Sequence, residues 1–147
     1  MSNTLYERDF YAWANEQAAL LRAGKLADAD IANIAEEIDS MGRGEWRELT
    51  NRLAVLLAHL LEWDAQPERR GRSWLLTIRE QRRQVIDVLD ENPSLRPQLD
   101  VILAKAYGDA TLAAAREVDC DEDRFPATLP WTFDQIMHGE LAPDHGA

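Results

Sequence analysis

Between residues 45 and 63 the apolar side chains recur at every third or fourth position, which is the spacing of one face of an α-helix. The alternation of apolar and polar residues that marks a half-buried strand is absent from the sequence. Amphipathic helical faces leave water by packing on one another. We therefore predict an all-α fold, a bundle of four to five antiparallel helices. The strongest stripe consists of Trp46, Leu49, Leu53, Leu56, Leu57, Leu60 and Trp63.

Local signals predict where the first helices of the chain lie. Thr4 followed by Glu7 has the spacing of a capping box, and it predicts a first helix over about residues 4–23. Asp28 or Asp30 can open a second helix, because a carboxylate oxygen accepts hydrogen bonds from free N–H groups of a first turn. The apolar face of this second helix is Ile31, Ile34, Ile38 and Met41.

Two glycines follow that face in the segment Gly42-Arg43-Gly44. Glycine destabilises a helix interior by about 1 kcal/mol relative to alanine. We therefore predict that the second helix ends or kinks here and that a third helix begins near Glu45. In this scheme Leu53, Leu57, Leu60 and Ile34 share one core.

Prolines divide the C-terminal half. A fourth helix must stop before Pro93, and a fifth follows it. Pro126 and Pro130 exclude a helix around them, so we predict an extended segment. Thr132 with Gln135 repeats the capping-box spacing and predicts a short last helix.

The length of 147 residues suits one domain. We predict a single helical domain over residues 1–147, with its core in residues 4–118. Residues 119–147 then form a C-terminal extension packed on that core.

Charge is distributed unevenly along this acidic chain, whose net charge is −11. Residues 43–83 hold nine arginines, no lysine and six acidic residues, a net charge of +3. Residues 1–42 carry −5 and residues 84–147 carry −9. Arginine without lysine indicates use of the planar guanidinium for paired hydrogen bonds or for stacking on aromatic rings. Any specific binding is therefore expected in this middle segment.

Nothing in the sequence predicts a membrane protein or a secreted one. The apolar runs are shorter than the roughly 18–20 residues that span a bilayer, and the N-terminus lacks the pattern of a signal peptide. Cys120 is the single cysteine and stands among acidic residues, which disfavour its thiolate. We predict a cytoplasmic protein that uses no cofactor.

Five blocks of the sequence occur in a characteristic order: residues 5–13, 36–43, 56–63, 73–82 and 92–97. Together they resemble the bacterial domain-of-unknown-function family number twenty-nine. The resemblance covers roughly residues 4–142, nearly the whole chain. It implies an all-helical fold and no established activity.

The arginine-rich segment supports the leading hypothesis, a non-enzymatic interaction module. Its partner would be an acidic protein or a second copy of this chain, since the overall negative charge disfavours nucleic acid. The alternative is an internal, solvated network of salt bridges in which Glu80 and Asp87 neutralise the arginines. The candidate binding residues are Arg69, Arg70, Arg72, Trp74, Arg79 and Arg83.

A second class of hypothesis centres on His59. With Glu62 and Glu37 it could form a metal site of a helical-bundle enzyme, although His59 as a core histidine bonded to a carboxylate is the simpler interpretation. Arg52 lies seven positions before His59, on nearly the same side of a helix. In an RNA-processing enzyme the arginine would stabilise phosphate charge and the histidine would transfer protons. The sequence favours a non-enzymatic protein over either alternative.

Overall fold

A computed structural model describes residues 4–142. Every regular element in this range is helical, and the range contains no β-strand. The prediction of an all-α fold is therefore confirmed, together with the short last helix. The α-helices are α1 (Leu5–Arg8), α2 (Phe10–Arg22), α3 (Ile31–Ala65), α4 (Arg72–Glu91), α5 (Leu99–Val118) and α6 (Phe133–His138).

The chain forms two compact units, the first ending at Gly44 and the second beginning at Glu45. The first unit contains α1, α2 and the first turns of α3. The second contains the remainder of α3 together with α4, α5 and α6. The boundary therefore falls inside a helix rather than in a loop.

The predicted helix end at Gly42-Arg43-Gly44 is wrong, because α3 runs through these residues as one helix of 35 residues. Its later part is strongly stabilised, since Leu53 and Leu57 are fully buried. A buried leucine contributes about 1.5–3 kcal/mol, more than a glycine costs a helix. Once the buried part is helical, extending it through the glycines requires no new nucleation.

The predicted first helix is also interrupted. Thr4 makes no side-chain cap, whereas the Asp9 carboxylate accepts a hydrogen bond from Ala12 N at 3.0 Å and begins α2. An aspartate at this position satisfies one of the free N–H groups of the following helix. The single helix over residues 4–23 therefore becomes α1 and α2, and α2 ends close to Gly24 as expected.

A cluster of aromatic rings and one carboxylate holds the first unit together. The ring centroids of Tyr6 and Trp13 lie 4.7 Å apart in a T-shaped arrangement. Trp13 Nε1 donates to Asp30 Oδ2 at 3.0 Å, and Asp30 N donates to Gln17 Oε1 at 2.7 Å. Trp13 and Gln17 are the buried residues of this unit within the described range.

The second unit has an extensive apolar core. Leu53, Leu57 and Leu60 belong to it as predicted, whereas Ile34 is half-buried in the first unit and is not a member. Helices α3, α4, α5 and α6 all contribute. Its fully buried side chains include Leu49, Leu53, Leu56, Leu57, Ile78, Val85, Leu89, Ile102 and Ile136.

The segment after α5 packs on this core. Tyr107 on α5 donates its hydroxyl proton to Pro126 O at 2.6 Å, and Trp63 Nε1 donates to Ala142 O at 2.7 Å. The predicted capping box at the start of α6 is confirmed: Gln135 N donates to Thr132 Oγ1 at 3.1 Å.

Candidate functional site

The exposed side of α4 carries three arginines around a leucine. Arg72, Leu76, Arg79 and Arg83 follow one another at steps of four, three and four, which places them on one face of the helix. All four are exposed, and Leu76 retains 50% of its accessible surface. We call this surface the arginine face. Along the helix axis, Arg72 lies about 10 Å from Arg79 and Arg79 about 6 Å from Arg83.

The guanidinium groups of the arginine face form no ion pair with any residue in the described range 4–142. Glu80 and Asp87 lie beside them and line the same open groove of about 600 Å³, together with Leu76, Arg79, Arg83 and Gln84. Glu80 Oε1 accepts a hydrogen bond from Gln84 Nε2 at 3.3 Å instead. The groove therefore presents cationic donors, two carboxylates and one apolar side chain to solvent.

Three further predicted site residues lie together before and at the start of α4, where they contact other parts of the second unit. Arg69 Nη2 is 3.2 Å from Glu117 Oε1, and its guanidinium lies 5.3 Å from the ring centroid of Trp74. Arg70 Nε donates to Trp63 O at 2.6 Å, and its guanidinium stacks over the Trp63 ring. These arginines therefore make structural contacts within the chain, unlike those of the arginine face.

Arg82 is a half-buried cation that was not among the predicted site residues. Its Nε donates to Ile136 O at 2.9 Å, and its Nη2 donates to Gly139 O at 3.0 Å. Desolvation lowers the pKa of this guanidinium below its ordinary value. With Asp64 and Trp131 it lines a cavity of about 250 Å³. One signal was present: position 82 is four residues after buried Ile78, on the inner side of the helix.

His59 and Glu62 form a pair on α3 in which His59 is half-buried and Glu62 is buried. His59 Nδ1 lies 2.9 Å from Val55 O, so this nitrogen carries a proton and donates it to the carbonyl. The same nitrogen is 3.8 Å from Glu62 Oε2, which has no hydrogen-bond partner among residues 4–142, and the Glu62 side chain is only 6% exposed. Burial raises the pKa of Glu62.

The other residues of the His59 hypotheses have their own contacts. Glu37 accepts a hydrogen bond from the Tyr6 hydroxyl, which raises the pKa of Tyr6 to about 12. Arg52 Nε pairs with Glu48 Oε1 at 2.9 Å. Within residues 4–142, no three histidine, cysteine, aspartate or glutamate side chains come close enough to hold a metal ion. His59 and Glu62 remain a two-residue pair in this range.

A known family model matches nearly all of the described residues. The model described as "Domain of unknown function DUF29" matches residues 5–141. The chain belongs to this family. No curated protein and no solved structure matches it. The resemblance noted in the sequence is thus confirmed.

Among the helices between residues 4 and 142, none is both long enough and apolar enough to cross a membrane. The longest, α3, carries many charged side chains, as its sequence from Ile31 to Ala65 shows. An uncharged stretch of roughly 18–20 residues would be required.

Proposed function

We propose that this chain is a non-enzymatic interaction module of the cytoplasm, and that its arginine face binds an acidic segment of a protein partner. The observation that carries the proposal is the state of Arg72, Arg79 and Arg83: exposed, on one helix face, and without an ion pair in residues 4–142. Unpaired guanidiniums are strong donors to carboxylates, and they bind two oxygens at once.

The arrangement favours a folded acidic segment over an isolated carboxylate. Guanidiniums about 10 Å and 6 Å apart along one axis match the carboxylates of a second helix at steps of seven and four residues. Leu76, half exposed between them, supplies an apolar contact. An apolar centre with charged neighbours is the usual arrangement of a protein–protein interface.

Nucleic acid is the less favourable partner. The net charge of −11 opposes the approach of a phosphate backbone. Glu80 and Asp87 stand beside the arginine face and would repel phosphates at close range. An acidic protein segment can instead place neutral or basic side chains against these two carboxylates, so it tolerates their presence.

The test compares two double variants with equal loss of charge. Arg79→Ala with Arg83→Ala removes two of the three guanidiniums of the arginine face. Arg96→Ala with Arg116→Ala removes two exposed arginines elsewhere in the second unit. The probe is a fluorescent helical peptide with glutamates at steps of seven and four, about 15 residues long, enough to span the three guanidiniums. The same peptide with glutamine in place of glutamate is its control.

We expect the wild-type chain to bind the glutamate peptide better than the glutamine peptide, in fluorescence anisotropy, with an affinity that falls as salt rises. The face variant should lose about tenfold in affinity, equivalent to ~1.4 kcal/mol. The Arg96 and Arg116 variant should bind like the wild type. Equal binding by both variants, or equal binding of both peptides, would contradict the proposal.

A further inference from the structure

A second exposed face lies on α3 in the first unit and is apolar. Ile31, Ala35, Ile38 and Gly42 follow one another at steps of four, three and four, so they form a straight seam along the helix. All four are exposed; Ile31 retains 53% and Ile38 retains 62% of its accessible surface. We call this the isoleucine seam. Exposed apolar surface of this kind marks an interaction site when it is contiguous.

Gly42 is the unusual member of the seam. It stands in the interior of a 35-residue helix, where glycine costs about 1 kcal/mol relative to alanine. A Cβ atom added at Gly42 would meet no other atom within 4 Å, so no contact within the described chain requires a glycine there. A residue without a side chain would, however, allow another helix to approach closely.

We propose that the isoleucine seam is a homodimer interface, in which α3 packs antiparallel against α3 of a second copy of this chain. The steps of four, three and four read the same in both directions. Reversing one helix therefore sets Ile31 opposite Gly42 of the second copy and Ile38 opposite Ala35 of the second copy. Each large side chain faces a small one, and the two-fold axis repeats both pairs. The surface is thus complementary to itself in shape.

Charges at the two ends of the seam support the same register. Arg43 is the single cation in residues 26–44, a stretch with five acidic residues. Within the chain its Nη2 lies 3.2 Å from Glu36 Oε1. Both side chains of this pair are exposed, so the pair is weak and the guanidinium can exchange it for a carboxylate of the second copy. In the antiparallel register Arg43 lies beside positions 28 and 30 of the second copy, where the chain has aspartates. Hydrogen bonds from Asn33 and Trp13 lower the pKa of Asp30, so this carboxylate is charged at neutral pH. Two parallel α3 helices would instead place Arg43 opposite Arg43 of the second copy, and Ile31 and Ile38 each opposite the same isoleucine.

The proposed contact is small. From Ile31 to Gly42 the seam is about 17 Å long, three turns of helix. Two such helices bury less than the roughly 1,200 Å² at which stable interfaces begin, which is the range of weak, reversible complexes. We therefore expect a dimer that forms in the micromolar range of concentration or above and dissociates on dilution.

Sedimentation velocity from about 1 to 500 µM, a range that brackets weak association, tests the dimer itself. Ile38→Glu should leave a monomer at every concentration, because it sets a charge on the axis of the apolar seam. Val101→Glu is the matched control, since Val101 is 66% exposed on α5. We expect this variant to dimerise like the wild type. The proposal would be overturned if the wild-type chain is monomeric at every concentration, or if Ile38→Glu and Val101→Glu reduce dimerisation equally.

The register is tested by exchanging a large and a small residue. Gly42→Ile alone crowds the position opposite Ile31 of the second copy, and Ile31→Ala alone leaves a gap. Each should raise the dimer dissociation constant about tenfold. The double variant restores one large residue against one small residue at both ends, and it should return near the wild-type value. A double variant that dimerises no better than the single variants would refute the antiparallel register. Circular dichroism verifies that every variant is folded.

This inference goes beyond the proposed function and fails separately from it. Arg79→Ala with Arg83→Ala should dimerise like the wild type, because the isoleucine seam contains neither residue. Raising the salt concentration should weaken peptide binding at the arginine face while an apolar seam keeps its affinity. Loss of dimer together with peptide binding in the Arg79 and Arg83 variant would overturn the assignment to the isoleucine seam.

Discussion

The two units bury their apolar side chains to very different extents. Up to Gly44, Trp13 is the buried apolar residue of the described part, and seven large apolar side chains are exposed. From Glu45 onward 23 apolar residues are buried and five large ones are exposed. The second unit therefore has a core of its own, whereas the first depends on an aromatic cluster and a few hydrogen bonds. Apolar surface that a folded unit leaves exposed is available to a partner.

The largest expected effect is the loss of a core leucine from the second unit. Leu57→Ala should lower the free energy of unfolding by about 2–5 kcal/mol, since Leu57 is fully buried. The matched change in the first unit, Ile38→Ala, should stay within about 0.5 kcal/mol at concentrations where the chain is monomeric. Urea unfolding followed by circular dichroism measures both. A loss well under 1 kcal/mol for Leu57→Ala would show that the apolar stripe containing Leu57 lies outside the core. The two units would then not differ in the cost of losing an apolar side chain.

A smaller effect is expected from the loss of one of the hydrogen bonds that hold the first unit together. Trp13→Phe keeps most of the ring but removes the donor to Asp30, at a cost of about 1 kcal/mol. Hydrogen exchange should quicken in α1 and α2 and remain unchanged in α4 and α5. Uniform quickening of exchange throughout the chain would mean that the two units open together and do not differ in stability.

A gain is expected at the glycine of the isoleucine seam. Gly42→Ala should stabilise the monomer by up to about 1 kcal/mol, because alanine has the higher helix propensity and nothing obstructs its Cβ. Thermal unfolding in dilute solution measures the gain. Gly108→Ala is a control in α5, since its added Cβ would also meet nothing within 4 Å. A destabilised Gly42→Ala monomer would reveal a contact that requires glycine.

The smallest effect is expected from Glu62, a buried carboxylate whose Oε2 lies 3.8 Å from His59 Nδ1, and it depends on pH. Burial raises the folded-state pKa of Glu62 above its ordinary value of 4.5. The stabilising contribution of protonated Glu62 is thus complete below that ordinary value and is lost as the pH rises through the folded-state pKa. The Glu62→Gln variant cannot ionise at this position. Its melting temperature should therefore rise relative to that of the wild type as the pH increases from 4 to 8. A difference that is constant with pH would exclude this titration.

Sequence signals predicted the fold wherever the cause was local. The capping box of Thr132 and Gln135 and the stripe containing Leu53 and Leu57 each depend on a few neighbouring residues, and both are present in the structure. The continuity of α3 through Gly42 was missed because local propensity is outweighed by burial further along the same helix. Asp9 was missed because the spacing of Thr4 and Glu7 fits one uninterrupted helix over residues 4–23, whereas the Asp9 side chain begins a second helix, α2.

The candidate site was predictable as a region rather than residue by residue. The arginine-rich segment does contain the arginine face, and helical spacing assigns Arg79 and Arg83 to one side of α4. Which arginines turn inward depends on distant backbone carbonyls. The acceptors of Arg82 lie 54 and 57 positions later in the chain, and Arg69 pairs with a glutamate 48 positions away. No local pattern encodes such partners.

The distribution of tryptophan gives each unit its own optical reporter. Of the five tryptophans, Trp13 lies in the first unit, and its indole is buried against a carboxylate. The other four belong to the second unit, where Trp63 and Trp74 have guanidinium groups over their rings. Replacing those four by phenylalanine would leave one emitter, whose wavelength follows the opening of the first unit alone. The Trp13→Phe variant would keep the four tryptophans of the second unit. Fluorescence of the two variants would then report on the two units separately.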